Sequence, residues 1–161
     1  MQKTAKVFEF SSWNFDPLTK RAVFNYRTEF SDASYIDWQE VIIFENNLGI
    51  KNIPGALQDK LFSSLHIALG VSYYKFYYAT KMKLKMDISK EEASFWNTVY
   101  QKGLGEFMYK NSLDPAQIAT FSGNVQEKPA LHRFKKNNRC LVGIGGGKDS
   151  IVSLELLKSA G

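Results

Sequence analysis

A glycine-rich turn between an apolar segment and a helix-like segment is the feature that most constrains this chain. Three glycines at 145–147 are followed by Lys-Asp-Ser at 148–150. Residues 139–142, Arg-Cys-Leu-Val, predict a short buried strand before the turn, and the apolar spacing of residues 151–158 predicts a helix after it. Glycines let the backbone turn tightly and let an anion approach its N–H groups. The start of a helix adds further N–H groups and the positive end of its dipole, so the stretch predicts a phosphate-binding turn.

Two common phosphate-binding patterns do not fit this turn. The Walker A pattern needs a glycine at position 142 and Ser or Thr at position 149, where the chain has Val142 and Asp149. The dinucleotide pattern G-x-G-x-x-G also fails, because Lys148 or Ser150 occupies the place of its third glycine. Both types of loop are therefore excluded as written.

The turn instead resembles the S-G-G-x-D-S signature of the PP-loop, or N-type, ATP pyrophosphatases. Members of that superfamily cut ATP between its α- and β-phosphates and release AMP and pyrophosphate. The resemblance implies that ATP and Mg²⁺ are the cofactors, with Gly146 and Gly147 lining the pyrophosphate and Lys148 neutralising its charge. It also implies that Asp149 supports the magnesium–phosphate assembly, and that Ser150 donates its hydroxyl and N–H groups at the start of the helix.

The chain departs from this signature at its first position. Gly145 stands where the signature has a serine, so one hydroxyl contact to phosphate is lost. The structural alternative is a glycine-rich turn without a ligand, although Lys-Asp-Ser after three glycines is hard to explain by turn chemistry alone. Asp149 is the candidate metal ligand. The candidates for ATP binding are Gly145, Gly146, Gly147, Lys148, Asp149 and Ser150.

The first half of the chain carries the alternating pattern of an antiparallel sheet. Apolar and polar residues alternate along residues 8–10, 24–30 and 36–44, and turn-forming residues separate these stretches. This pattern predicts an antiparallel meander with one buried face. The even-numbered stripe of the third stretch is broken only by Glu40.

Helical spacing begins after Pro54. His66 lies beside the apolar stripe of this helix and is interpreted as a structural residue rather than a ligand. Residues 81–86 alternate and predict a further strand, and Ser89 with Glu92 predicts a capping box at the start of another helix. The stripe that is predicted to pack on the sheet consists of Leu57, Leu61, Leu65 and Leu69.

Two short motifs carry further candidate residues. In residues 70–75, Gly-Val-Ser-Tyr-Tyr-Lys, burial among aromatic rings would favour the neutral form of Lys75 and make it a base. The alternative is a lysine that extends from a tyrosine-rich core into solvent. In residues 103–111 two glycines mark either the end of a helix or a close approach of the backbone. Glu106 is then either an acid/base or ligand contact or a carboxylate in the first turn of the next helix.

Together with the turn at 145–150, these two motifs resemble the bacterial UDP-N-acetylmuramoyl-L-alanyl-L-glutamate epimerases. The resemblance covers most of the chain, with aromatic strands preceding the motifs as in that family. It implies a cytoplasmic, ATP- and Mg²⁺-dependent step of peptidoglycan precursor synthesis. The terminal L-glutamate of the UDP-linked muramoyl dipeptide is converted to D-glutamate. Tyr73, Lys75 and Glu106 become candidates for proton transfer or substrate contact.

The chemistry that the resemblance implies is physically reasonable. Removing an α-hydrogen beside an ionised carboxylate is difficult, because two negative charges would then occupy one small group. Adenylation of the carboxylate removes its charge, and the acyl-adenylate can lose and regain its α-proton through a stabilised enolate. An ATP pyrophosphatase turn is the appropriate device for this activation.

The sequence predicts three parts: an α+β N-terminal domain at residues 1–121, a basic and polar connector at 122–138, and the first strand–loop–helix of an α/β PP-loop domain at 139–161. One strand–helix unit cannot bury both faces of a parallel sheet. We therefore expect the chain to be an N-terminal fragment that is inactive by itself.

Composition excludes few classes of binding partner. The net charge of +5 is compatible with a nucleotide, a sugar phosphate or a nucleic acid. A single cysteine, Cys140, excludes an intrachain disulfide and a cysteine metal cluster, and no apolar run is long enough to span a membrane. The basic run at 132–136 is interpreted as a solvated connector rather than a nucleic-acid arm. Another PP-loop enzyme, such as a tRNA-modifying or amide-forming ligase, is the alternative function, and the oligomeric state is left open.

Overall fold

The alternating stretches at the start of the chain form three adjacent strands of a four-stranded sheet. The computed structural model describes residues 4–45, 53–124, 142–143 and 145–160. The chain divides into two units, Met1–Glu127 and Lys128–Gly161. In the first unit the strands are β1 Ala5–Asp16, β2 Arg21–Phe30, β3 Tyr35–Ile43 and β4 Lys81–Leu84, and the helices are α1 Gly55–Tyr77, α2 Lys90–Gly103 and α3 Gly105–Lys110.

The sheet is mixed, with the strand order β3-β2-β1-β4. β1 pairs with β2 and β2 pairs with β3 in antiparallel fashion, so the predicted meander is confirmed for these three strands. β4 pairs with β1 in parallel, and an antiparallel arrangement is therefore wrong for the sheet as a whole. The physical reason is that α1 lies between β3 and β4 in the chain. It supplies the long connection that a parallel neighbour needs, whereas alternation alone does not specify strand direction.

α1 packs on the face of the sheet that carries the buried aromatic residues of β1 and β2. Its buried residues are Phe62, His66, Ile67, Gly70 and Tyr74.

The helix is therefore predicted correctly, but its buried face is not centred on the predicted leucine stripe. Leu61 is 52% exposed, and Leu65 and Leu69 are only partly buried at the edge of the core. The buried row is displaced by one residue because Gly70 offers no side chain at the point where the rings of Phe10 and Tyr26 approach the helix.

α2 begins at the predicted capping box. The Ser89 hydroxyl accepts a hydrogen bond from the Glu92 N–H at 3.1 Å, and the Glu92 carboxylate accepts one from the Ser89 N–H at 2.7 Å. α2 ends at Gly103 and α3 starts at Gly105, so the paired glycines mark a helix end rather than a close backbone approach. Tyr100 ties α2 to α1, because its buried hydroxyl donates to the Ile67 carbonyl at 2.7 Å.

In the second unit, residues 148–159 form the helix that the sequence predicts after the glycine turn. This helix, α4, is Lys148–Ser159. Residues 139–141 of the predicted strand lie outside the described residues, as does most of the predicted connector, and Val142 is not in a strand. Within the described ranges, no helix combines the length and apolar character needed to cross a membrane.

The close approach at Gly70 generates a stability prediction. A Cβ at this position would collide with the Phe10 ring and lie 3.0 Å from Tyr26 Cε1. We expect Gly70→Ala to lower the free energy of unfolding by about 1–3 kcal/mol, because the added methyl group overpacks the helix–sheet contact. Chemical denaturation of the two proteins measures the difference.

Gly55→Ala is the matched control. It makes the same change in the same helix, where a Cβ would meet no atom within 4 Å. We expect this variant to be neutral or slightly stabilising. Equal destabilisation of both variants would show that the contact between residue 70 and the sheet does not cause the lower free energy of unfolding.

Candidate functional site

The glycine turn has an open geometry that suits an anion. Gly146 adopts φ +79°, the left-handed region that glycine enters without strain. A Cβ placed on Gly145, Gly146 or Gly147 would meet no atom within 4 Å, so the backbone of the turn is open on the side where side chains would stand. Gly147 then caps α4 with an extended backbone.

The start of α4 presents charged and polar groups beside this turn. Lys148 and Asp149 are exposed in the first turn of the helix, where the N–H groups have no acceptor within the helix. Ser150 is already engaged: both its hydroxyl, at 2.7 Å, and its N–H, at 3.1 Å, donate to the Gly147 carbonyl. A phosphate at this turn would therefore have to attract the Ser150 hydroxyl away from the Gly147 carbonyl.

These groups fit the polyphosphate of ATP and one magnesium ion. The open glycine backbone and the lysine ammonium are suited to phosphate oxygens, and Asp149 offers a carboxylate oxygen, the ligand type that Mg²⁺ prefers. In the described parts of the chain there is no group of three or more His, Cys, Asp or Glu residues that could hold a metal ion. A magnesium ion bound through one carboxylate and the substrate phosphates is compatible with this finding.

Tyr73 belongs to α1, and its side chain reaches the edge strand β3 of the sheet. Its hydroxyl donates a hydrogen bond to Glu40 Oε2 at 2.6 Å and lies 3.2 Å from the Gln39 carbonyl oxygen. Its ring stacks on Tyr26 with 5.1 Å between centroids and packs against Trp38 at 5.6 Å. Burial, together with the hydrogen bond to the Glu40 carboxylate, raises the pKa of Tyr73 to about 12. Tyr73 is therefore a protonated donor at neutral pH.

The second tyrosine of this motif is structural. Tyr74 is buried, donates to the Ala79 carbonyl at 3.1 Å and accepts from the Ala119 N–H at 3.3 Å. These bonds satisfy both roles of its hydroxyl within the core.

In the described part of the chain, no hydrogen bond or ion pair joins Lys75 or Glu106 to Tyr73. Lys75 is exposed, so the desolvation considered from the sequence is not found, and the alternative of a lysine reaching into solvent is correct. Glu106 is exposed in the first turn of α3 and pairs with Lys110 at 2.6 Å on the same helix. Its reading as a first-turn carboxylate is confirmed, while its contact with a substrate stays a prediction.

Glu40 is the residue that the sequence interpretation missed as a candidate. The available signal was its position, because it is the one polar residue in the even-numbered stripe of β3. Periodicity identified the interruption but not its partner, which lies 33 positions away on α1.

His66 is a core residue, as expected. It is fully buried among the rings of Phe10, Phe24 and Tyr26. Nε2 lies 3.0 Å from the Asn25 carbonyl, which can only accept, so Nε2 carries the proton. Nδ1 is then an acceptor without a hydrogen-bond partner in the described structure.

The whole sequence matches one family model. The model of the MurL N-terminal domain covers residues 1–161. No solved structure matches the chain.

Three curated proteins similar to this chain carry the name UDP-N-acetyl-alpha-D-muramoyl-L-alanyl-L-glutamate epimerase. The Salinispora tropica protein is 33% identical over 163 residues, covering 96% of this chain and 34% of the relative. The Micromonospora protein is 30% identical over 156 residues, covering 96% of this chain and 35% of the relative. The Xanthomonas oryzae protein is 40% identical over 100 residues, covering 60% of this chain and 22% of the relative. The chain thus spans about a third of the length of the first two relatives.

The buried imidazole generates a pH prediction. Burial lowers the pKa of His66 from its ordinary 6.5 to about 4. Between these values the unfolded chain binds a proton that the folded protein does not, so folding stability falls as the pH decreases from 6.5 to 4. We expect a loss of about 3 kcal/mol from this group, measured by denaturation at several pH values.

His66→Gln serves as the comparison because glutamine can donate to the Asn25 carbonyl but does not titrate. We expect a flatter dependence of stability on pH in this variant. An unchanged pH dependence would show that other groups cause the acid sensitivity.

Proposed function

This chain belongs to the MurL N-terminal domain family, and we propose from that membership that it is the N-terminal part of a UDP-N-acetylmuramoyl-L-alanyl-L-glutamate epimerase. The observation that carries the proposal is the match of the family model across residues 1–161, together with the printed names of the similar curated proteins. The enzyme would invert the α-carbon of the terminal glutamate of the UDP-linked muramoyl dipeptide.

ATP drives this inversion by adenylating the glutamate carboxylate, which releases pyrophosphate and later AMP. The open turn at Gly145, Gly146 and Gly147 receives the phosphates, and Lys148 balances part of their charge. Asp149 would hold Mg²⁺, whose chemistry is to screen the phosphate oxygens and to favour departure of pyrophosphate. The Ser150 hydroxyl turns from the Gly147 carbonyl to a phosphate oxygen.

Tyr73, Lys75 and Glu106 are the candidates for proton transfer or substrate contact. The Tyr73 hydroxyl is neutral and already donates its proton to Glu40, so its contact with the substrate would be made through this pair. Lys75 and Glu106 are exposed charges that are accessible to an anionic or cationic group of a substrate. Their separate contacts favour separate roles rather than one catalytic cluster.

The active enzyme is longer than these 161 residues. Because the chain spans about a third of the relatives' length, we propose that it has no epimerase activity alone and requires the remainder of the enzyme. The nucleotide-linked substrate and the need for ATP imply a reaction in the cytoplasm.

Variants of the phosphate turn test the proposed function. In the full-length protein we expect Lys148→Ala or Asp149→Ala to lower AMP formation from ATP and the UDP-linked dipeptide by at least about 100-fold. Lys148→Ala removes a positive charge that offsets the negative charge developing on the pyrophosphate, and Asp149→Ala removes the carboxylate proposed to hold Mg²⁺. AMP is quantified by chromatography at fixed substrate concentrations.

The matched controls are Lys158→Ala and Glu155→Ala, which remove charges of the same two types from the far end of α4. Lys158 and Glu155 pair with each other at 3.2 Å and are exposed. We expect near-normal AMP formation in both. Normal turnover in Lys148→Ala and Asp149→Ala would show that the phosphate site lies elsewhere.

A further inference from the structure

Glu40 occupies a position that would ordinarily be apolar. It lies on β3 between Trp38 and Ile42, on the side of the sheet that faces α1, and it pairs in register with Phe24 of β2. A carboxylate at such a position loses part of its hydration, and an apolar residue of similar size would usually be at least as stabilising. Groups that are unfavourable for folding alone are characteristic of functional sites.

The Glu40 carboxylate is held in a defined orientation. Tyr73 is fixed between the rings of Tyr26 and Trp38, and its single hydroxyl proton points to Glu40 Oε2 at 2.6 Å, the shorter of its two contacts. Tyr73 donates no hydrogen bond to the other carboxylate oxygen, Oε1. One carboxylate oxygen is therefore positioned by the phenol while the other can accept a proton.

The carboxylate is also within reach of a substrate. β3 is an edge strand of the sheet, and Glu40 is partly rather than fully buried. Phe76 stacks on Trp38 with 5.2 Å between ring centroids and remains 64% exposed, and Tyr77 beside it is 41% exposed. An accessible carboxylate beside an aromatic wall is partly shielded from water, which strengthens its electrostatic interactions.

We propose that Glu40 is the catalytic base that removes the α-proton of the activated glutamate, and that Tyr73 is its positioning residue. This inference rests on the proposed epimerase function. In the step, the Cα–H bond breaks, the proton moves to Glu40 Oε1, and the electron pair stays on the substrate as an enolate. Glu40 then releases this proton to solvent, and the enolate takes a proton, or a deuteron in deuterated water, on its opposite face from a water molecule or a separate acid, which inverts the carbon.

The geometry assigns the pair to one face of the substrate. A base and an acid that act on opposite faces of a carbon must each lie within about 3 Å of their own proton position. Glu40 and Tyr73 are in direct hydrogen-bond contact, so they cannot stand on opposite sides of that carbon. Tyr73 also keeps its own proton at neutral pH, because burial and Glu40 raise its pKa to about 12.

Glu40→Gln separates proton removal from ATP activation. Glutamine keeps the shape and can still accept the Tyr73 hydrogen bond, but its amide cannot accept the α-proton. In the full-length protein in deuterated water, we expect deuterium at the glutamate α-carbon to appear at least about 100-fold more slowly. Exchange of labelled pyrophosphate into ATP, which reports adenylation alone, stays within about two-fold of wild type.

Glu45→Gln is the matched control, since it makes the same change at an exposed residue just beyond the end of β3. We expect both signals to be normal in this variant.

Tyr73→Phe tests positioning. We expect deuterium incorporation to fall about ten-fold through kcat, with an unchanged KM for the dipeptide and unchanged pyrophosphate exchange. The double variant Glu40→Gln/Tyr73→Phe loses no more than Glu40→Gln alone, because Tyr73 acts only through Glu40. Additive losses would contradict this coupling.

The outcomes distinguish the two proposals. If the wild-type protein shows both signals and Glu40→Gln incorporates deuterium at an unchanged rate, the role of Glu40 is overturned. The epimerase function is then left intact. Loss of both signals in Glu40→Gln would also overturn that role, because it would place Glu40 in adenylation or folding. Absence of both signals in wild type would overturn the epimerase function itself.

Discussion

The close contact between α1 and the sheet at Gly70 determines where the rest of this domain lies. Because Gly70 has no side chain, the rings of Phe10 and Tyr26 can reach the helix backbone. The next turn of α1 then directs Tyr73 toward Glu40 on β3 and Tyr74 into the core. A bulkier residue at Gly70 would move the helix away and separate the phenol from the carboxylate.

The candidate residues of the first unit make their contacts in different places. Tyr73 contacts the β3 edge, whereas α3, which carries Glu106, packs through Phe107 against Tyr78 with 6.4 Å between ring centroids. Motifs that together identify a family therefore need not place their polar residues in one cluster. In the second unit, the turn before α4 has its own local geometry, in which Gly146 and the capping Gly147 leave the helix start open.

Local rules predicted much of this fold from sequence. Alternation located the strands, Ser89 and Glu92 marked the start of α2, and the glycine turn marked the start of α4. Three features depend on long-range packing and escaped prediction: the parallel direction of β4, the buried face of α1, and the contact between Glu40 and Tyr73. A helix with apolar residues in neighbouring rows does not reveal which row faces the sheet until the opposing rings are known. An interrupted stripe likewise does not reveal its partner.

The most direct test of the proposed chemistry is to follow two products of one reaction. The full-length wild-type protein is supplied with magnesium–ATP and UDP-linked L-alanyl-L-glutamate in deuterated water. AMP release and deuterium at the glutamate α-carbon are measured together. ATP-driven epimerisation predicts that both appear and that both require ATP. AMP without deuterium would indicate an ATP pyrophosphatase that acts on another acceptor, and deuterium without ATP would contradict activation by adenylation.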